Sequence, residues 1–511
     1  MLSSRLYKIL FGALVLTTAG SCTRRSPSSD VACEAIDLAL PQGRVNYPGS
    51  PTYAQENSYW SNRHADNVAP ACFVTPKDAF EVAATVKVLA SLNTQFSVKG
   101  GGHTAFAGGS NSDGGVTVDL MYLTTLNVSS DRKTVLIGAG NRWINVSEAL
   151  DMLGLVVVGG RVADVGVSGL ILGGGISYFS GMYGWACDNV RNYEVVVASG
   201  LIVDASPTEN KDLYWALRGG GGSNFGIVTN FEMAVYEQPG GNIWHNRLII
   251  PGAANASAIA AYQNLTVNGM PSDNKAHSYM VLTHMDMLGG YAVISDLYHA
   301  DLPNTADSAH KTVPGVFVPF ESLPTIMKSQ SIVNTSTLSR EIDVPYGSRQ
   351  TWWDTTIKAT DPSLLTDIVP LWQDHVEKLV AVAKGAAVTP FLVYQAIPLN
   401  VLKAMEVNGG NALGLKQSDG PLMLIQLAAQ WADRALDDLM ERSFEELIGK
   451  INDLAKSRGL SHGFVYANYA GNKQSVFESY GADNHAKLKR VALKWDPKGI
   501  LKKLWRGYFK L

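Results

Sequence analysis

Apolar positions along this chain fall in short runs broken by glycine or polar residues, and the rhythm changes near residue 240. After Cys72, Thr75-Pro76-Lys77-Asp78 supplies an N-cap, a first-turn proline and a first-turn acid. The spacing of Phe80, Val82, Ala83, Val86 and Leu89 then predicts a helix that buries all five. Short runs at 96–98, 116–120, 134–137, 155–158, 193–198 and 226–236 are rich in β-branched residues and bounded by Gly, Asn or Asp, so they predict strands. That pattern is α+β with a sheet-rich core.

Beyond Pro239-Gly240-Gly241 the segments lengthen. Asp361-Pro362 opens a predicted helix to residue 383, and 436–458 makes another, closed by Gly459. Residues 387–395 and 421–431 read as strands. A chain of 511 residues exceeds what one hydrophobic core supports. The expected units are therefore 30–239, with a core at about 67–238, and 240–460, an antiparallel sheet plus helices.

The first twenty residues read as a secretory signal: Arg5 and Lys8 give the positive region, 9–15 the apolar core and 17–21 a small-residue cleavage site. No later run reaches the roughly 18 apolar residues of a membrane span, so no membrane partner is expected. Ala19-Gly20-Ser21-Cys22 lacks the branched residue of a lipoprotein site. A net charge of −3 with no basic run offers nothing to nucleic acid. His-Glu-x-x-His, Cys-x-x-Cys, Walker and Gly-x-Ser-x-Gly motifs are all missing, which removes support for zinc hydrolysis, nucleotide triphosphate chemistry and serine hydrolysis; no metal is expected.

The 49 glycines exceed the average share of about 7%. They concentrate in three stretches: Lys99-Gly100-Gly101-Gly102-His103-Thr104, the run from Val165 to Gly175, and Arg218 to Val228. Consecutive glycines lack the Cβ atoms that keep a backbone from a bulky ligand, and they free φ for turns whose N–H groups face an anion. A nicotinamide fingerprint is a poor match for 219–226, which lacks the Gly-x-Gly-x-x-Gly spacing.

These stretches, with Gly184-Trp185-Ala186-Cys187-Asp188-Asn189, Asp212 to Gly219, Tyr466-Ala467-Asn468-Tyr469 and Trp495-Asp496-Pro497, resemble the berberine-bridge-enzyme-like FAD-linked oxidoreductases of the vanillyl-alcohol-oxidase superfamily. The resemblance spans about residues 30 to 511. It implies an α+β fold: a two-part FAD-binding domain of the PCMH type, an inserted antiparallel-sheet-plus-helices substrate domain, and a C-terminal return over 461–511. It also implies FAD bonded to His103, with Gly100, Gly101, Gly102, Thr104 and the Gly138-Ala139-Gly140 turn under the diphosphate. Gly166, Gly169, Gly174, Asp188, Asn189, Ile227 and Asn468 would hold the rest of the cofactor. Relatives with a second, cysteinyl link carry cysteine where this chain has Val162, so a single link is expected. Val165 stands where valine accompanies oxidases that use molecular oxygen.

Gln426 takes the place of the glutamate of alkaloid-cyclising relatives, and an amide is no base. Tyr466 and Tyr469 are then the candidates for accepting a substrate proton, and either is equally readable as a packed ring. Cys33 and Cys72 lie where the family has its N-terminal disulfide, which suits an oxidising compartment, and Cys187 reads as a buried thiol. Sequons at Asn127, Asn145, Asn255, Asn264 and Asn334 suit a glycoprotein of a eukaryotic secretory host. The expected function is a secreted oxidase of a small organic alcohol or amine in fungal specialised metabolism. A flavin-dependent oxidative cyclase and a sugar oxidase remain as alternatives.

Overall fold

Among the described residues, the β-branched runs pair into sheets around two large hydrophobic cores and a smaller third cluster. The computed structural model describes residues 27–238, 241–285, 289–301, 312–344, 346–383 and 387–511. The signal segment 1–20 and Cys22 lie outside the described residues. Helix α1 (Pro27–Ala39) is stapled through Cys33 to Cys72. Among the described residues, β1 (Val45–Asn46), β2 (Cys72–Val74), β3 (Phe96–Lys99) and β4 (Val116–Asp119) form a sheet in the order β1-β2-β4-β3. Its β2, β4 and β3 run parallel, so the crossover α2 (Ala79–Ser91) packs beneath it.

A second sheet holds β5 (Leu126–Val128), β6 (Thr134–Gly138), β7 (Leu155–Val157), β8 (Val190–Val196), β9 (Ile202–Ala205) and β10 (Ile227–Glu237). The long β10 is its spine, pairing antiparallel with β6, β7 and β8. Helix α3 (Val167–Leu172) lies within the second glycine run.

The third sheet is antiparallel and seven-stranded among the described residues. It comprises β11 (Asn242–Pro251), β12 (Ala276–Met285), β13 (Gly290–His299), β14 (Met327–Asn334), β15 (Arg349–Lys358), β16 (Val388–Ile397) and β17 (Leu422–Trp431). Their order is β14-β11-β13-β12-β16-β17-β15. Helices α4 (Pro362–Val382) and α5 (Asp437–Ser457) cover one face. Odd-numbered β17 residues, Met423 to Trp431, join the helix-covered core, whereas Leu422 and Leu424 join the first core. The two sides of one strand thus serve two cores. The chain after Gly459 packs back on the first: Arg506 N–H bonds Phe96 C=O at 2.7 Å, and Phe464, Tyr466 and Phe509 are buried there.

Two local expectations need correction. The N-cap of α2 is Asp78, whose carboxylate accepts the Glu81 N–H at 2.8 Å. Thr75 instead sits beside Arg44, its N–H bonded to that residue's carbonyl. Phe80 is 77% exposed because it sits one residue out of phase with the buried stripe of Ala79, Val82, Ala83, Val86 and Leu89. Strands β11 to β15 went unread for another reason. β15, for example, buries Arg349, Gln350, Thr351, Asp354, Thr355 and Thr356, and buried polar groups erase the alternation that marks a strand.

Candidate active site

The glycine loop springs from paired strand ends. Lys99 closes β3 with its ammonium 2.9 Å from the Asp119 carboxylate at the end of β4, both buried, and 4.6 Å from the Tyr59 ring centroid. Gly102 has φ +65°, a conformation that other residues rarely adopt. The two positions before it, Gly100 and Gly101, are glycine for a reason the sequence reading did not foresee. A Cβ on Gly101 would stand 2.3 Å from the Gly166 nitrogen, and one on Gly100 would stand 2.2 Å from Ser168 Oγ. Here the missing side chains let two loops touch each other.

His103 follows this contact. Its ring stacks on Trp60 at a centroid distance of 4.1 Å, and Trp352 lies 6.1 Å away. Burial, with the Arg142 cation as a smaller contributor, pulls its pKa down to about 3, so the imidazole is neutral. Its Nε2 is buried without a hydrogen-bond partner. A neutral ring with an unused nitrogen beside a cavity can act as a nucleophile.

The cavity measures about 400 Å³ and runs from Gly100–Thr104 past Val165, Gly166 and Gly169 to Ile227, Gly222, Ser223, Trp505 and Tyr508. Gly169 faces open space, with no atom within 4 Å of where its Cβ would be. A large planar ligand with a diphosphate fits such a lining of glycine backbone, apolar side chains and one unsatisfied imidazole. The opposite wall is the seven-stranded sheet, which contributes Tyr279 and Val281 from β12, Val393 and Gln395 from β16, Gln426 from β17 and Trp352 from β15.

The two tyrosines differ. The Tyr466 hydroxyl accepts the Gly175 N–H and the Asn468 side-chain N–H, both at 2.9 Å, and burial pushes its pKa up. Tyr466 is therefore held as a neutral brace. The Tyr469 hydroxyl instead accepts from Arg161 at 3.1 Å, and its ring meets Trp352 edge-on at 5.6 Å. Asn468 lines the cavity and also bonds the Leu170 carbonyl at 3.0 Å. Val162 lines the cavity too and offers no sulfur.

Six of the expected cofactor residues, Gly138, Ala139, Gly140, Gly174, Asp188 and Asn189, do not line this space. Gly140 packs so tightly that a Cβ would be 1.9 Å from the Leu120 carbonyl oxygen, and Gly138 likewise meets Leu123. Gly174, at φ +125°, leaves room for the Trp185 ring. The Asp188 carboxylate is bonded to Arg218 at 3.1 Å, Asn411 at 2.8 Å and the Trp185 N–H at 2.8 Å. Asn189 braces Tyr183, Trp185 and Tyr236. These glycines, Asp188 and Asn189 shape the scaffold behind the cavity. Conversely Trp60, Arg161, Tyr279, Trp352 and Gln395 were missed, since no motif surrounds them and only the fold gathers them.

Residues 70–206 match the family described as the FAD binding domain. Over 481 residues the chain is 35% identical to the FAD-dependent monooxygenase tpcD of Cochliobolus heterostrophus, covering 91% of this chain and 90% of that protein. The chain belongs to the berberine-bridge-enzyme-like FAD-linked oxidoreductases. This oxidoreductase is also 30% identical over 494 residues to the bifunctional solanapyrone synthase of Alternaria solani, covering 96% of this chain and 90% of that one. Its fold is similar to that of the glucooligosaccharide oxidase of Acremonium strictum, whose structure is titled for a 6-S-cysteinyl, 8α-N1-histidyl FAD. The TM-score is 0.72 at 21% identity, over 92% of this chain and 97% of that one.

Proposed function

We propose that this FAD-linked oxidoreductase is an exported oxidase of a small organic alcohol or amine in fungal specialised metabolism, with FAD bonded through His103 alone. The observation that carries the reading is the neutral, unpartnered His103 beside the glycine loop and the cavity. Val162, which has no thiol, supports a single link. Bound FAD supplies the acceptor for a hydride equivalent from the substrate C–H bond. Tyr469 Oη takes the substrate's hydroxyl or amine proton, while Tyr466 and Asn468 hold the neighbouring loop in register. Trp60, Trp352 and the valines of the sheet wall exclude water. Export is supported by the first twenty residues and by the Cys33–Cys72 disulfide.

The test is the mass of acid-denatured protein. Wild type should carry FAD through denaturation, and His103→Ala should lose it. Free release from wild type, or retention by His103→Ala, overturns the linkage. A second reading, oxidative cyclisation, is favoured by the bifunctional synthase among the relatives. Product analysis separates the two, because a simple oxidase releases the carbonyl compound uncyclised.

A further inference from the structure

Among the described residues, Arg161 carries the only formal charge on the cavity wall. Among the described lining residues there is no Asp, Glu or Lys and no second Arg. Nor, among the described residues, does a carboxylate oxygen come within 4.0 Å of its guanidinium; its hydrogen-bond partners are Gln395 Oε1 at 2.8 Å, His277 Nε2 at 3.1 Å and Tyr469 Oη at 3.1 Å. The guanidinium also lies 4.9 Å from the Tyr279 ring centroid. His277 brings no countercharge, because burial and the neighbouring Arg161 hold its imidazole neutral. A partly buried cation with no carboxylate partner is costly unless something supplies the missing negative charge.

The position of those partners says where the counterion belongs. Gln395 and His277 stand on strands of the seven-stranded sheet, and Tyr469 is the proton acceptor proposed above, so the guanidinium is fixed on the substrate side rather than at the glycine loop. The three partners pin a planar fork whose remaining donors suit a two-oxygen anion. Lysine could not make this array, since its point charge lacks the fork. We propose that the substrate carries a carboxylate, and that Arg161 binds it through the guanidinium while its alcohol or amine carbon is presented to the reacting site. This rests on the oxidase reading for the role of Tyr469, but the charge preference itself does not depend on flavin.

The test uses the purified protein with two probes of equal size, benzoate and benzamide, titrated against the fluorescence of Trp60 and Trp352, which line the cavity. Wild type should bind benzoate about ten-fold or more tightly than benzamide. Arg161→Gln should bring the two within about two-fold, and Arg161→Lys should keep an intermediate preference. Equal binding of both probes by wild type overturns the proposal, as does no saturable benzoate response. A preference that survives in Arg161→Gln overturns it as well. Should Arg161→Gln misfold, the wild-type comparison and Arg161→Lys still decide. A flavin absorption spectrum is recorded on the same samples: a chain without flavin sinks the oxidase reading, whereas the benzoate preference stands or falls separately.

Discussion

The contact between the two glycine loops makes a prediction that separates scaffold from cofactor site. In Gly166→Ala the new methyl would stand 2.3 Å from the Gly101 nitrogen and 2.6 Å from its Cα, against an ordinary contact of 3.4–4 Å. The loops must part by about 1 Å, and both are backbone, so no side chain can swing aside. Overpacking of this kind costs about 1 to 3 kcal/mol. Gly169 in α3 is the control. Its Cβ would meet nothing within 4 Å, and alanine within a helix gains about 0.4 to 1 kcal/mol over glycine. The same methyl projects into the cavity, however, and should lower the flavin content. Gly166→Ala should therefore lose stability, and Gly169→Ala should keep stability and lose flavin. Urea midpoints are read by tryptophan fluorescence on flavin-free protein in a His103→Ala background, so that lost ligand stabilisation is not counted. Flavin per protein is read from absorbance in the wild-type background. A Gly166→Ala as stable as its parent would refute the loop contact. A Gly169→Ala that is destabilised with full flavin would refute the cavity assignment.

Other outcomes follow from single interactions. Removing the Cys33–Cys72 bond, which closes a span of 39 residues, should cost about 4 kcal/mol in chain-entropy terms, read as a urea midpoint shift; an unshifted midpoint counts against it. Burial and the nearby Asp119 push the Glu56 pKa up to about 8 from 4.5, so its stability contribution is present below about 4.5 and lost as pH rises through about 8. Glu56→Gln should flatten stability across that window in a pH series of urea midpoints, and an unchanged slope excludes Glu56 as its source. Tyr469→Phe should cut kcat by about 100-fold or more in steady-state assays. Tyr466→Phe should largely spare kcat and lose about 1 to 3 kcal/mol of stability, because it strips the Gly175 and Asn468 N–H groups of their acceptor. Val165 lines the cavity, and Val165→Leu should slow reoxidation of photoreduced enzyme by oxygen in stopped flow; equal rates would make Val165 simple packing.

Much of this protein is local and was legible from the chain. The β-branched runs announced most strands of the first two sheets, though not β1, β5 or β9; Asp361-Pro362 and Gly459 bounded two long helices, and the glycine stretches with His103 pointed to a flavin. Backbone conformation and hydrophobic period act over a few residues, so residues close in sequence encode them. What the tertiary structure decided was which groups share a space. Glycine spacing could not tell ligand approach from loop contact at Gly101 and Gly166, because the deciding neighbour is 65 residues away in the chain. Nor could it tell Gly169, open to the cavity, from Gly140 and Gly174, closed by Leu120 and Trp185. The two tyrosines of Tyr466-Ala467-Asn468-Tyr469 were equal in sequence; packing made one a brace and set the other beside Arg161. Arg161, Gln395 and His277 converge from separate segments, and an unpaired charge is visible only once its surroundings are closed around it.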